Sequence, residues 1–455
     1  MAAGESFKVG ATMAATFLNQ FFSFIVFTIL DFLDVLLCYV YKLSDFFIEA
    51  EWKSCYCSKS AADGGGGGGQ ILVAEPKVVG MTCTKLRMEE ISDTLYTRPS
   101  VASEISKKRL IAGRKSAGRP LFTINSTTVD SLIGRHQKLP VPRWSDCDCN
   151  TCTSWIGATK ETLFVMTDGA RENVQEDVVF IHGFISSSAF WTETVYPNLS
   201  RWAKLRYRLH AVDLLGFGRS PKPTDSMYTL REHVEMIEKS VLDPYRVKNF
   251  HIVAHSLGCI IAMALAVRHP AAVKSLTLLA PPYFPTPKGE IATQYTMRRV
   301  APRRVWPVIA FGASMACWYE HISRTICLLI CKNHRAWEFL AKLLTRNRIR
   351  LYVMEGFFLH THNSAWHTLH NVICGTAGKI EGYLDKIKNR LKCDITIFHG
   401  KNDELIPVEC SHSLKARIPR ANLKVVEKKD HITIVVGRQK AFARELEAIW
   451  KNATS

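Results

Sequence analysis

Five short apolar runs, separated by stretches of helix length, constrain this chain more than any other feature. They are "TLFVMT" (162–167), "DVVFIHG" (177–183), "LHAVDLLG" (209–216), "FHIVAHS" (250–256) and "SLTLLAP" (275–281). β-Branched and aromatic residues dominate them, and the runs are nearly continuous in hydrophobicity. Strands of that composition are buried on both faces. Helices are predicted between them at 188–203, 229–244 and 257–269. Strands alternating with helices give a parallel sheet, and right-handed crossovers bring every strand's carboxyl end to one edge, where sites of open α/β sheets form. The alternation stops at Pro281-Pro282, where a mainly helical, basic and aromatic segment begins. It resumes at "CDITIFHG" (393–400) and "ANLKVVEKKDHI" (421–432) and closes with a helix over 437–451. The expected fold is α/β: a mostly parallel central sheet, helices on both faces, and one large insertion.

One junction carries chemistry. In "FHIVAHSLGC" (250–259) a hydroxyl, Ser256, sits between a buried strand and a buried helix, with Ala254 and Gly258 two positions to either side. A sharp strand-to-helix turn strains its central residue and requires small neighbours. The pattern is the G-x-S-x-G nucleophile elbow with Ala for the first Gly. Such a turn exposes the serine Oγ and offers the N–H of Leu257 to an oxyanion. A serine hydroxyl needs a base, and the base needs a carboxylate to orient it. In chain order the acid follows the serine and the histidine comes last. Asp403 in "FHGKNDELIP" and His431 in "KKDHITIV" fill those places, each after a strand on the same edge. Glu404 and Asp430 are the rival acids. The N–H of Phe184 in His182-Gly183-Phe184 is the second expected oxyanion donor. Gly183 allows close approach there, and His182 shapes the loop without moving a proton. Asp213, Gly216 and Gly218 read as a turn closing the site wall. This chemistry requires no metal or organic cofactor.

The rest of the chain is read by composition. Residues 9–30 hold no charge and are long enough to cross a hydrocarbon core. Residues 1–51 are therefore expected to be a membrane-targeting segment, either signal anchor or signal peptide. Residues 52–159, with the glycine run Gly64 to Gly69, read as a linker with short ordered pieces. Within it Cys147, Cys149 and Cys152 form C-x-C-x-x-C. No matching His or Cys pair follows at finger-like spacing, so a local disulfide or plain packing is expected rather than zinc. His360, His362, His367 and His370 likewise read as packing or site lining. The net charge of +18 is concentrated partly in 283–350, which holds 12 Lys/Arg against 3 Asp/Glu. A basic face of this kind suits anionic lipid or wall surfaces. No nucleic-acid-binding motif accompanies it.

Taken together, "VVFIHGF", "DLLGFGRSPKP", "AHSLGC", "HGKNDELIP" and "DHITIVV" resemble the α/β-hydrolase superfamily with a cap domain. The N-terminal "ILDFLDVLLCYVYKLSDFFIEAEWKSCYC", "RWSDCDCNTCTSW" and "HTHNSAWHTLHNVICG" are similar to the plant BODYGUARD group of probable lysophospholipases. The resemblance implies a hydrolase domain over 160–455, with a helical lid at 283–385 inserted after the sixth strand. It also implies a serine esterase acting on lipid or acyl esters at a plasma-membrane or cell-wall location, in cuticle formation. Two alternatives stand beside it: an acyltransferase in polyester assembly, and a ligand-binding receptor or scaffold on the same fold.

Overall fold

The computed structural model describes residues 2–50, 92–95, 142–156, 161–224, 226–346 and 351–454. The glycine run and most of the expected linker lie outside the described residues. Seven strands form one sheet: β1 (Val165–Gly169), β2 (Glu176–Ile181), β3 (Tyr207–Val212), β4 (Phe250–His255), β5 (Val273–Leu279), β6 (Asp394–Gly400) and β7 (Asn422–Val426). Their order is β1-β3-β2-β4-β5-β6-β7. All neighbouring pairs are parallel except β1 with β3. The chain is thus an α/β-hydrolase fold with a mostly parallel sheet, as the sequence pattern requires.

Hydrophobicity sets each strand's place. Every residue of β2 and β4 is buried, and these two strands lie side by side inside the sheet. Edge strand β1 is polar and largely exposed. It starts later than the apolar run "TLFVMT" suggests. The backbone N–H groups of Leu163 and Phe164 donate instead to the hydroxyls of Ser240 and Ser220, 2.8 and 2.9 Å away. On one face, the helices Leu257–Arg268, Leu230–Ile237 and Ile380–Arg390 cover the sheet. On the other, Trp191 and the helix Gln439–Thr454, with Phe442 and Trp450, close the second core. The helix expected over 188–203 is broken into Ala189–Thr192 and Arg201–Arg206, because Pro197 interrupts it and Ser200 caps a new start through Ala203 N–H.

Between β5 and β6 runs a helical insertion, from Ala292–Val300 to Ile380–Arg390. Among the described strands it follows the fifth, β5, where the resemblance implied the sixth. The insertion is fastened to an N-terminal helix, Ala2–Glu49. At 1.5 Å per residue that helix is about 70 Å long. Its polar residues Asn19, Ser23, Asp31, Asp34 and Asp45, spaced four, eight, three and eleven positions apart, fall along one stripe. Asn19 Nδ2 donates to the Trp306 carbonyl, and Ser23 Oγ accepts from Val305 N–H. Asp31 pairs with Arg303 at 2.9 Å, and Asp45 takes the Arg324 guanidinium through both oxygens at 2.7 Å. Asp34 Oδ1 accepts from the N–H groups of His321 and Ile322 at 2.8 and 3.0 Å. It thereby caps the helix Glu320–Ile330, whose own N-cap residue, Tyr319, makes no side-chain cap bond. The opposite face, with Phe17, Phe24, Phe32, Leu36 and Phe47, is exposed.

Candidate active site

Ser256 is the residue between β4 and the helix Leu257–Arg268, and its φ of 54° and ψ of −123° lie outside the usual regions. A non-glycine residue held there costs about 1–3 kcal/mol and persists only where its surroundings impose it. Two features impose it here. Ser256 N–H donates to the Leu279 carbonyl at 2.8 Å, at the end of β5. Gly258 passes so close to the end of β2 that a Cβ on it would stand 2.5 Å from the His182 carbonyl oxygen and 2.9 Å from that of Ile181. Ala254 is wholly buried beneath the turn. Leu257 opens the helix, so its N–H has no intrahelical acceptor. Gly183 lies against the serine: its Cβ position is 3.1 Å from the Ser256 Cβ. Phe184 follows and packs on Phe217 with ring centroids 6.0 Å apart.

His182 bonds on both sides of its ring. Nδ1–H donates to the Gly183 carbonyl at 2.7 Å and Nε2 accepts from Leu214 N–H at 2.9 Å. Full burial lowers its pKa and keeps it neutral. These two bonds brace the loop after β2. Asp213 is also structural. Its two oxygens accept from Ser188 N–H and Arg219 N–H, at 2.6 and 2.8 Å, which locks the turn 213–220 against the loop after β2.

Across the edge, His431 Nδ1 faces Asp403 Oδ2 at 2.7 Å. Asp403 Oδ1 accepts from the N–H groups of Leu405 and Ile406, both at 2.9 Å. Burial alone would raise the Asp403 pKa. The His399 and His431 rings and the Ile406 N–H outweigh it and hold the carboxyl well below the usual carboxylate range. The rival acids stand elsewhere. Glu404 is exposed, and exposed Asp430 spends Oδ1 on the N–H groups of Ile432 and Thr433. Ser256, His431, Asp403, Leu257 and Phe184 thus gather at the carboxyl edge of the sheet.

Sequence reading overlooked three supports of this arrangement. His255, beside the serine, donates from Nε2 to the His431 carbonyl at 2.9 Å. Burial and the neighbouring His431 push its pKa down to about 3, so it is a neutral strut. His399 lies 3.4 Å from Asp403 Oδ2, while its ring is held by Ser411 and the Ile406 carbonyl. At Gly400 the end of β6 meets the His431 loop, and a Cβ would stand 2.5 Å from the Lys429 carbonyl oxygen. All three lie inside the quoted motifs, so nearness in sequence to Ser256 and Asp403 was the available signal.

Cys147, Cys149 and Cys152 are unbridged thiols, and they lie around His334 of the insertion rather than in a local disulfide. The four histidines of 360–370 do not form one cluster. His370 bonds Thr94 and the Cys317 carbonyl, whereas His360 faces Cys327 and Cys331.

The doubly covered sheet and the serine elbow define an α/β hydrolase, and the profile of the α/β hydrolase fold matches residues 178–306. The relatives narrow this further. The chain is 55% identical to "Probable lysophospholipase BODYGUARD 1" of Arabidopsis thaliana, over 96% of this chain and 97% of that protein. It is 55% identical to BODYGUARD 3 of the same plant, over 98% and 99%, and 39% identical to BODYGUARD 4, over 96% and 97%. The chain belongs to the BODYGUARD family of probable lysophospholipases.

Proposed function

We propose that the protein is a serine hydrolase of lipid acyl esters, lysophospholipids foremost, working through Ser256, His431 and Asp403. The observation that carries this is the 2.7 Å contact of His431 Nδ1 with a buried carboxylate whose other oxygen is fixed by two backbone N–H groups. That contact keeps the proton on Nδ1 and leaves Nε2 free to take the serine proton. Ser256 Oγ attacks the ester carbonyl, the N–H groups of Leu257 and Phe184 hold the oxyanion, and His431 returns the proton to the leaving alcohol. Water then attacks the acyl-enzyme with His431 again as base. The insertion acts as the lid. The cuticle role implied by the family resemblance rests on kinship with the relatives. The test is labelling of the purified chain by a fluorophosphonate, followed by turnover of lysophosphatidylcholine. Labelling and turnover should both vanish in Ser256→Ala. Persistent turnover in that variant discards the mechanism.

The N-terminal helix is proposed to lie along a membrane surface. Length and hydropathy alone would let this helix cross a bilayer, but its polar stripe is bonded to the insertion from Asn19 to Asp45. Its exposed face instead continues into exposed Trp306 and Val308 of the insertion, the pattern of an interfacial helix. Of the arginines expected to dock on anionic surfaces, Arg303 is bound to Asp31 and Arg298 to Glu290. An epitope tag at the N-terminal end of the helix should be cut by protease added on the hydrolase domain's side of a sealed vesicle. Protection of the tag refutes the in-plane arrangement.

A further inference from the structure

Two groups of cysteine and histidine side chains lie apart from the serine site. In the first, the donor atoms of Cys147, Cys149, Cys152 and His334 all fall within 4.8 Å of one another, as do those of Cys327, Cys331 and His360 in the second. His334 Nε2 is 3.6 Å from Cys149 Sγ and 3.5 Å from Cys152 Sγ. His360 Nε2 is 3.7 Å from both Cys327 Sγ and Cys331 Sγ.

These separations have a geometric meaning. A tetrahedral zinc with Zn–S of about 2.3 Å and Zn–N of about 2.05 Å has an S···N edge of about 3.6 Å. Plain thiol–imidazole hydrogen bonding does not require one ring nitrogen to face two sulfurs, and here both groups do so. Three thiols around one histidine also cannot all pair as disulfides. The ring of His334 is fixed from behind: Nδ1 donates to Glu338 Oε1 at 3.0 Å, which leaves Nε2 facing the sulfurs. A carboxylate behind a histidine is the usual outer partner of a zinc ligand. In the second group, Cys327 and Cys331 are four apart at the end of the helix Glu320–Ile330 and so share one face. His362, two residues on, is the candidate for a fourth ligand: its donor atoms lie farther out than those three, but its ring adjoins the Cys327 thiol and its buried Nδ1 has no hydrogen-bond partner among the described residues.

We propose that the chain holds two structural zinc ions, one on Cys147, Cys149, Cys152 and His334, the other on Cys327, Cys331, His360 and His362. Thiolate-rich tetrahedral donor sets with no open position suit zinc and not calcium or magnesium. This replaces the packing and disulfide reading of the same residues. Each ion joins separate segments, which suits a staple. The first ties 147–152 to the insertion. The second ties two segments within the insertion, 327–331 and 360–362, and the backbone of His360 bridges to Phe217 of the site wall.

The test is metal analysis of the full chain purified without chelator. About two zinc ions per chain are expected, falling by one in Cys149→Ser, by one in Cys331→Ser, and to none in the double variant. X-ray absorption at the zinc edge of the unmutated protein should show a mixed shell, sulfur near 2.3 Å and nitrogen near 2.0–2.1 Å. That measurement decides the matter even if the variants fail to fold. A chain without zinc, or one whose zinc has only oxygen and nitrogen neighbours, overturns the proposal. A single zinc lost with Cys149→Ser alone overturns the second site. Zinc content unchanged by either substitution overturns both.

Discussion

Asp403→Asn is the substitution whose outcome the site fixes most narrowly. The carboxylate is held in one orientation, with Oδ1 accepting from the N–H groups of Leu405 and Ile406. An asparagine must keep its carbonyl oxygen at those donors, because an amide NH2 there would confront two N–H groups. Its NH2 then occupies the position of Oδ2, 2.7 Å from His431 Nδ1. An NH2 group donates, so Nδ1 must become the acceptor and the ring proton must move to Nε2. That is the nitrogen proposed to receive the serine proton, and in this tautomer it has no lone pair to offer. The expected fall in kcat is about 10⁴-fold, or ~5.5 kcal/mol at 1.36 kcal/mol per decade. The protein should stay folded, since the isosteric amide keeps both backbone bonds.

The assay is release of fatty acid from lysophosphatidylcholine, with a fluorophosphonate labelling rate as a second reading. KM should change little, because Asp403 is buried and does not reach the substrate. Glu404→Gln and Asp430→Asn are the controls, and each should stay within about threefold of the parent. If Asp403→Asn retains a tenth of the parent rate, tautomer control is not its role. If Asp430→Asn produces the large loss instead, the acid is misassigned.

Other outcomes follow from the same contacts. Gly258→Ala puts a Cβ 2.5 Å from a backbone carbonyl oxygen; a denaturant melt should show a loss of about 1–3 kcal/mol, and parental stability would mean that the close approach does not exist. Buried His255 and His233 are both lowered from 6.5 to about 3, by burial first. Their folded pKa lies below the unfolded one, so their contribution is complete above pH 6.5 and is lost as pH falls toward 3, by up to ~1.4 kcal/mol per pH unit and site; melts showing equal stability at pH 7.5 and 4.5 would contradict neutral burial. Asp34→Ala removes the cap on the helix Glu320–Ile330 and should cost about 1–2 kcal/mol, with faster amide exchange in that helix's first turn; unchanged exchange there rejects the capping.

The sheet and the site were legible because their signals are local. Val178, Val179, Phe180 and Ile181 are contiguous and buried on both faces, and no partner need be known to read them as a strand. Ser256, Asp403 and His431 each sit just past such a strand, and the topology brings strand ends together without further information. The N-terminal helix was read differently for the opposite reason. A hydropathy window averages over all faces, so residues 9–30 registered as an uncharged stretch long enough to span, holding Asn19 and followed by Asp31 and Asp34. Their spacing places them on one stripe, but only the partners Trp306, Arg303 and His321 give that stripe a purpose. The pairing of Cys149 with His334, 185 residues on, has no spacing signal. Finger-like motifs are recognised by short intervals, and this arrangement has none.

These distant pairings have a common direction. The hydrolase profile ends at residue 306, near the start of the insertion, so the helices that follow come from outside the matched module. Those helices are held from three sides. The N-terminal helix grips them through Asp31, Asp34 and Asp45, and Arg324 also bonds Ser145 beside the cysteine segment. Ser92 and Thr94 bond Asn371 and His370. The insertion in turn meets the site wall, where Ser364 Oγ donates to the Gly216 carbonyl and the backbone of His360 pairs with Phe217. Phe217 touches both His182 and Phe184, the brace and the proposed oxyanion residue. A force on the N-terminal helix therefore has a continuous path of packed and hydrogen-bonded groups to the serine. The proposed membrane contact and catalysis should then be coupled. Turnover of a soluble short-chain ester, which needs no interface, should rise or fall when Asp34→Ala loosens the helix, even with no vesicle present. If that rate is unaffected while the helix is measurably loosened, the two ends of the molecule work independently.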